Sequence, residues 1–386
     1  MVPVPHPRSF ALIAGELSGD LLGAALTRAL RARYPQARIY GVAGPQMSEA
    51  GCEAIESIDQ LSVMGLAEVL PAIPRLLALR RRLVARLSAD RPDLVIGLDA
   101  PDFNLGLEKR LRQRGLRTAH VVSPSIWAWR AGRVHGIVKS AELMLCLLPF
   151  EPACYEGHPI AARYIGHPLA DELDDAVEPA QARRGLGLPE SGPVIAVLPG
   201  SRGSELRYLG EPFARAAALL HARIPGIRFV TPLAKPSLEP GLRAVMAQHA
   251  AACDWTVIQG CSRQVMRAAD AVLIASGTAT LECLLLGRPM VVAYRASPIT
   301  AWLMLDLGLL KTRYVSLPNL LSERPCVPEL LQNQANPQAL AAEVEGLLGD
   351  AARRRQQLQQ FAAVRETLRC NAAERAVDAI GELLRT

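Results

Sequence analysis

V-I-A-V-L-P-G-S-R-G-S-E, residues 194–205, reads as a short apolar run, a tight turn and the start of a helix. Val194 to Leu198 is apolar throughout and rich in β-branched residues, with Gly192-Pro193 before it and Pro199-Gly200 after it. Such a run suits a strand buried on both faces, inside a parallel sheet. Beyond it Gly200 permits close backbone approach, Ser201 or Ser204 can cap the next helix, and first-turn N–H groups face the space past the strand. That geometry attracts an anion, phosphate above all, and the Arg202 guanidinium adds a permanent charge whose fork matches two phosphate oxygens. An ordinary βα turn with a solvated arginine fits the same letters.

Working outward, a second junction of the same kind follows. Ala271 to Ile274 is apolar and leads into S-G-T-A-T-L-E, residues 276–282. Ser276, Thr278 and Thr280 offer hydroxyls, Gly277 lies in the turn, and Glu282 falls in the first helical turn. There a carboxylate either favours the helix dipole or accepts from ribose hydroxyls. Strand and helix patterns alternate on both sides of these turns, with helices expected over 205–222, 238–252, 262–268 and 278–286 and strands over 227–231, 255–259 and 289–293. Alternation of this sort implies a parallel sheet wrapped by helices.

The first half repeats the theme. Phe10 to Ala14 reads as a buried strand that enters G-E-L-S-G-D, residues 15–20, ahead of a helical pattern ending at Tyr34. Each half therefore reads as a Rossmann-like unit whose working edge lies at the carboxyl ends of its strands. Leu94 to Leu98 is another buried strand and delivers Asp99 to that edge, either as a general base for an attacking hydroxyl or as the cap of the helix after Pro101. Glu16 is the rival base, with helix capping as its plainer role and that of Asp20. Trp127, Trp129, Arg130 and Arg133 cluster in one loop, where the tryptophans either stack on a sugar, line an acyl groove or anchor the core. Residues 61–87 mix large apolar side chains with Arg75, Arg80, Arg81, Arg82 and Arg86. They form either a basic amphipathic helix on a membrane surface or a domain helix with its arginines in water. Trp302 to Leu310 is read as core, with a second apolar lip as the alternative. His167 is read as a structural hydrogen bonder, and the acidic stretch 171–178 as the linker between halves.

With 386 residues the chain exceeds the size at which one core keeps growing, so two domains are expected. A net charge of +6 favours an anionic partner, whereas an aromatic content of 4% with no dense basic stripe argues against nucleic acid. Eight cysteines, never at C-x-x-C spacing, fit reduced thiols in a cytosolic protein. There is no D-x-D, no H-E-x-x-H and no His/Cys cluster, so neither a metal nor another cofactor is expected. The opening M-V-P-V-P-H-P-R does not read as a secretory leader, and no apolar run is long enough to span a bilayer.

L-P-G-S-R-G-S-E (198–205) and S-G-T-A-T-L-E (276–282) resemble the donor-site motifs of the lipid-A-disaccharide synthases, two-lobed B-type glycosyltransferases. Further matching pieces are A-G-E-L-S-G-D-L-L-G-A (14–24), V-M-G-L-A-E-V-L (63–70), D-A-P-D-F-N (99–104), S-P-S-I-W-A-W-R (123–130), G-H-P-L (166–169) and V-S-L-P-N-L-L (315–321). The resemblance implies an α/β fold of two Rossmann-like lobes with parallel sheets facing a central cleft. Residues 1–170 would form the acceptor-binding, membrane-facing lobe and 171–335 the UDP-sugar lobe. Residues 336–386 would be helices packing back on the first lobe or on a second subunit, and a homodimer is left open. The implied reaction joins UDP-2,3-diacylglucosamine to 2,3-diacylglucosamine 1-phosphate with inversion, giving lipid A disaccharide 1-phosphate and UDP. It would run without metal, peripherally on the anionic cytoplasmic face of the inner membrane. Asp99 would be the base, with Glu16 second. Gly200, Ser201, Arg202, Glu205, Ser276, Gly277, Thr278, Thr280, Glu282, Asn319 and Gln332 would serve the donor. Ser18, Gly19, Met64, Leu66, Val69, Arg80, Arg81, Trp127, Trp129 and Arg130 would serve the acceptor or the membrane. A UDP-GlcNAc 2-epimerase or the peptidoglycan GlcNAc transferase of the same fold, or a non-enzymatic membrane adaptor, are the alternatives.

Overall fold

The computed structural model describes residues 8–61, 66–128, 131–173, 178–297 and 312–385. The chain forms two compact units, Met1–Asp171 with Leu368–Thr386, and Glu172–Thr367. In the first, seven strands among the described residues make one parallel sheet: β1 (Ser9–Ala14), β2 (Arg38–Ala43), β3 (Glu53–Ser57), β4 (Leu94–Leu98), β5 (Thr118–Val121), β6 (Leu143–Cys146) and β7 (Ala161–Tyr164), in the order β3-β2-β1-β4-β5-β6-β7. The order reverses between β1 and β4. Because Ala14 is in register with Leu98, the loops carrying Glu16 and Asp99 leave the sheet side by side. In an open α/β sheet that switch point is where ligands bind.

The second unit repeats the plan with six strands among the described residues. They are β8 (Val194–Leu198), β9 (Arg228–Leu233), β10 (Asp254–Gln259), β11 (Ala271–Ala275), β12 (Met290–Tyr294) and β13 (Glu329–Leu331), ordered β10-β9-β8-β11-β12-β13. Its reversal lies between β8 and β11, with Leu198 in register with Ile274, so both phosphate-type turns emerge together. Every residue of β8 and β11 is buried, as their unbroken apolar runs require. The apolar-run reading overlooks β2, β3 and β7: β3 is E-A-I-E-S at a sheet edge, half exposed, and carries too little apolar signal.

Two carboxylates assigned to looser roles prove structural. Asp20, fully buried, does not cap its own helix Leu17–Arg33. Its oxygens accept from the backbone N–H of Gly44 (2.9 Å), Gln46 (3.0 Å) and Met47 (3.0 Å), closing the start of the helix Pro45–Glu49. Asp171, read as linker, instead caps the helix Ala372–Arg385, accepting from Cys370 (3.0 Å), Asn371 (3.0 Å) and Ala372 (2.7 Å). Ala372, Ala376 and Ile380 of that helix join the first unit's core. An earlier helix, Pro337–Gly349, packs its Leu340, Val344 and Leu347 into the core of the second unit.

Asp20→Ala strands three N–H donors, those of Gly44 and Met47 buried, and should cost about 2–3 kcal/mol of stability. Urea unfolding followed by circular dichroism measures it; an unchanged midpoint would contradict the bonding described.

Candidate functional site

At the carboxyl ends of β8, β9, β10 and β11 lies a cavity of about 350 Å³. Gly200, Ser201, Arg202, Glu205, Ser276, Gly277 and Thr278 line it, as do Pro232, Leu233, Ala234, Gly260, Cys261 and Ser262. The second group was missed from sequence, although the strand ends at 231 and 259 pointed to it through the carboxyl-edge rule. Neither Ser201 nor Ser204 caps the helix Gly203–Arg223. Glu205 does so from its third position, accepting from the N–H of Ser201 (2.7 Å) and Arg202 (3.1 Å). Its other oxygen pairs with the Arg202 guanidinium at 3.0 Å. The turn therefore holds an anion, and that anion is the chain's own carboxylate. Gly200 has φ +117°, and a Cβ there would lie 2.3 Å from a Glu205 oxygen, so only glycine lets the carboxylate fold back this closely.

Other residues expected at the donor are occupied elsewhere. Thr280 is buried and its hydroxyl donates to the Gly277 carbonyl at 2.7 Å, while the Ser276 hydroxyl donates to the Val315 carbonyl at 2.7 Å. Glu282 faces Arg263 at 3.5 Å. Asn319 is saturated: its amide donates to the Val327 carbonyl and Glu329, and its oxygen accepts from the N–H of Cys326 and Val327. Four bonds exhaust an asparagine side chain, so Asn319 acts as a clamp on 326–329. Gln332 has φ +49° and only its backbone carbonyl is engaged by Arg295, at 2.9 Å; its side-chain Nε2 is buried without a partner among the described residues. Thr280, Glu282, Asn319 and Gln332 all lie outside the cavity lining.

In the first unit Asp99 stands half-buried at the end of β4, and its Oδ2 accepts from the Ser18 hydroxyl at 3.2 Å. It is not a helix cap. Ala100 occupies the cap position of the helix Pro101–Arg112 with no side-chain bond, and Asp102 in the first turn pairs with Arg133 at 3.0 Å. Glu16 is exposed and makes no capping bond either. Gly19 is buried against the end of β4, where a Cβ would lie 3.1 Å from the Leu98 carbonyl. Ser18 and Gly19 thus flank Asp99 directly.

The three consecutive arginines on the helix Leu66–Asp90 differ in kind. Arg80 stacks on Phe103, 4.9 Å from the ring centre, donates to the Asp102 carbonyl, and has its pKa lowered by burial and by nearby Arg110. Arg82 pairs with Glu56. Arg81 instead shares a surface groove of about 440 Å³ with Arg110 and Arg114, two residues the sequence reading passed over, one on the helix Pro101–Arg112 and one in the turn after it. Leu79, Leu83, Val84 and Leu87 face the core, while Ile73 and Leu77 are 41% and 37% exposed. Trp127 is half-buried and meets Phe150 edge-on at 5.1 Å, an anchoring contact. Met64, Trp129, Arg130 and the run 302–310 lie outside the described residues, as do the side chains of Leu66 and Val69.

A family model described as Lipid-A-disaccharide synthetase matches residues 10–380. The lipid-A-disaccharide synthase of Chromohalobacter salexigens is 48% identical over 373 residues, covering 97% of this chain and 96% of that one. Its counterpart from Klebsiella pneumoniae is 47% identical over 378 residues, covering 98% of both. Among solved structures, a UDP-GlcNAc 2-epimerase from Neisseria meningitidis bound to UDP-GlcNAc superposes with a TM-score of 0.64 at 12% identity, over 97% of this chain and all (100%) of that one. MurG of Acinetobacter baumannii gives 0.58 at 15% identity, over 97% and 100%. At such identities these structures establish the shared two-sheet fold and nothing finer.

Below Trp127, Glu151 is 4% exposed and accepts from the Leu148 N–H at 3.0 Å. Burial pushes its carboxyl up from 4.5 to about 7, against the backbone N–H groups of Leu148 and Leu147 and the Trp127 indole, which favour the charge. The folded state then holds a proton that the unfolded state has lost. Stability from this group is full below pH about 4.5 and falls until about 7. Glu151→Gln should remove that decline, gaining on the order of 3 kcal/mol over wild type between pH 4.5 and 8. Urea titrations across that range check it, and parallel pH profiles would refute it.

Proposed function

Since the chain belongs to the lipid-A-disaccharide synthase family, we propose that its first unit serves the acceptor sugar and the membrane and its second the UDP-sugar donor. It is a glycosyltransferase of lipid A biosynthesis. Relatives nearly half identical over almost the whole chain carry that name, whereas the epimerase and MurG share 12% and 15% identity, so the same-fold alternatives and the adaptor reading are not favoured.

The donor is UDP-2,3-diacylglucosamine and the acceptor 2,3-diacylglucosamine 1-phosphate. The acceptor's 6-hydroxyl oxygen attacks the donor's anomeric carbon, the bond from that carbon to the diphosphate breaks, and the electron pair leaves with UDP. One displacement inverts the configuration. Asp99 takes the hydroxyl proton as the bond forms, and the Ser18 hydroxyl on its Oδ2 holds the carboxylate in position. The diphosphate takes the place of Glu205 at the N–H groups of Ser201 and Arg202, with the Arg202 fork neutralising its charge. Ser276, Gly277 and Thr278 border the same cavity, on the donor's side. The observation that carries the reading is this cavity at the second switch point, rimmed by an anion-holding turn in a chain of this family.

Membrane contact is assigned to the helix Leu66–Asp90, with exposed Ile73 and Leu77 toward the acyl region and Arg81, Arg110 and Arg114 toward anionic headgroups. The site faces the cytoplasm and the association is peripheral; no helix among the described residues is long and apolar enough to cross a membrane.

A metal-free assay with both substrates, resolved by thin-layer chromatography, should give disaccharide from wild type. A folded, UDP-binding Asp99→Ala variant should be slower by about 10²–10⁴-fold. Disaccharide from both at equal rate would move the base elsewhere. In vesicle sedimentation, replacing Arg81, Arg110 and Arg114 by Ser should weaken binding to anionic vesicles by about 3 kcal/mol, near 1 kcal/mol per arginine. Replacing Arg82, which is paired, should change it little, and equal loss from both would overturn the assignment.

A further inference from the structure

We infer that Asn104 is a positioning residue for Asp99, a role that rests on the reading of Asp99 as general base. Asn104 lies fully buried on the helix Pro101–Arg112, beneath the first switch point. Its Nδ2 donates to the carbonyls of Ile13 (3.1 Å), Leu98 (3.3 Å) and Asp99 (2.8 Å). Facing three carbonyls, only the NH₂ side of the amide fits, so the orientation of the side chain is dictated by chemistry. Those carbonyls close β1 and β4, the strands that deliver Glu16 and Asp99. One side chain thus ties together the bases of both loops.

The two loops also touch. A Cβ on Gly15 would lie 2.3 Å from the Cβ of Ala100. Asp99 and Ala100 are consecutive, neither is glycine, and their φ angles are +53° and +44°. Residues stay in this left-handed region only where their surroundings over-determine them. The bond from Asn104 to the Asp99 carbonyl is such a constraint, because it fixes the peptide joining the two. It thereby fixes the direction in which the Asp99 carboxylate leaves the sheet toward Ser18.

What Asn104 contributes is its donor edge. Its Oδ1 is buried without a partner among the described residues, as are Glu108 Oε2 and His120 Nε2 beside it. Glu108, one turn further along the helix, meets His120 Nδ1 at 2.7 Å, and both are shielded from solvent. Gly97 makes room for the pair, since a Cβ there would lie 2.0 Å from Glu108 Oε1. The three orphaned atoms give the amide no acceptor-side anchor, so its three strand-end bonds alone explain its placement.

The test compares full-length wild type, Asn104→Leu, Asn104→Ser, Asp99→Asn and the Asp99→Asn, Asn104→Leu double variant. Initial rates of disaccharide formation are the main readout, with UDP affinity by calorimetry and thermal melting to establish folding. Asn104→Leu should lower kcat about a hundredfold, the scale of a misplaced catalytic group, with donor KM and UDP affinity within about twofold. Asn104→Ser, which keeps one donor, should recover part of the loss. In the Asp99→Asn background the same Leu substitution should cost less than about threefold more, because Asn104 acts through Asp99. Should Asn104→Leu fail to fold, Asn104→Ser, made in the Asp99→Asn background as well, carries the same comparison in both backgrounds. An unchanged kcat in the folded variant, or an equal loss in both backgrounds, overturns the role of Asn104 while leaving Asp99 as base. Full activity from Asp99→Asn overturns the base reading and the positioning role with it.

Discussion

A parallel sheet covered on both faces ends its strands along common edges, where the outermost backbone N–H and C=O groups lose their ladder partners. Where such a group is buried, leaving it unpaired costs about 1–3 kcal/mol. This protein meets that constraint with carboxylates and amides of its own. In the first unit Asp20 takes three N–H groups and Asn104 three carbonyls. In the second, Glu205 closes the turn after β8, and Glu329 takes the N–H groups of Val315 and Ser316 together with the Asn319 amide. The edges that border the candidate sites are therefore held rigid by the chain itself.

Topology then separates the two chemistries. Each sheet has one reversal of strand order, and each reversal brings two loops together at a carboxyl edge. At the first, the polar groups are a half-buried carboxylate and the hydroxyl that donates to it. At the second they are backbone N–H groups and an arginine around a cavity, which together hold negative charge. The helix Leu66–Asp90 is divided in a similar way along its length: its later turns bury leucines in the core, while Ile73 and Leu77 earlier in it are exposed.

The strands and turns of this architecture were legible because a strand buried on both faces is an unbroken apolar run, and β1, β4, β8 and β11 are such runs. Edge strands such as β3 are not, and went unseen. Among the functional residues, sequence position located the working edge but could not say whom each polar side chain serves. Asn319 and Thr280 were expected at the donor, yet the Thr280 hydroxyl goes to the Gly277 carbonyl and the Asn319 amide to backbone groups of 326–327 and the Glu329 carboxylate. Arg80, Arg81 and Arg82 look equivalent as letters. One is stacked on a ring, one lines a basic groove and one is ion-paired, because a helix turns them through about 100° per residue onto different neighbours.

The segment D-A-P, residues 99–101, shows how a few letters keep a carboxylate at a strand's end. A helix beginning at Pro101 would ordinarily extend backward if Ala100 and Asp99 relaxed into the right-handed region, and Asp99 would become a first-turn capping group. The proline ring disfavours that region for Ala100, blocking the extension. With Ala100 pressed against Gly15 and the Asp99 carbonyl held by Asn104, the left-handed pair is the conformation that remains. The Asp99 carboxylate consequently points toward Ser18 instead of folding over the helix N-terminus, so the strained backbone keeps free of capping a group that the plainest local preference would have used as a cap.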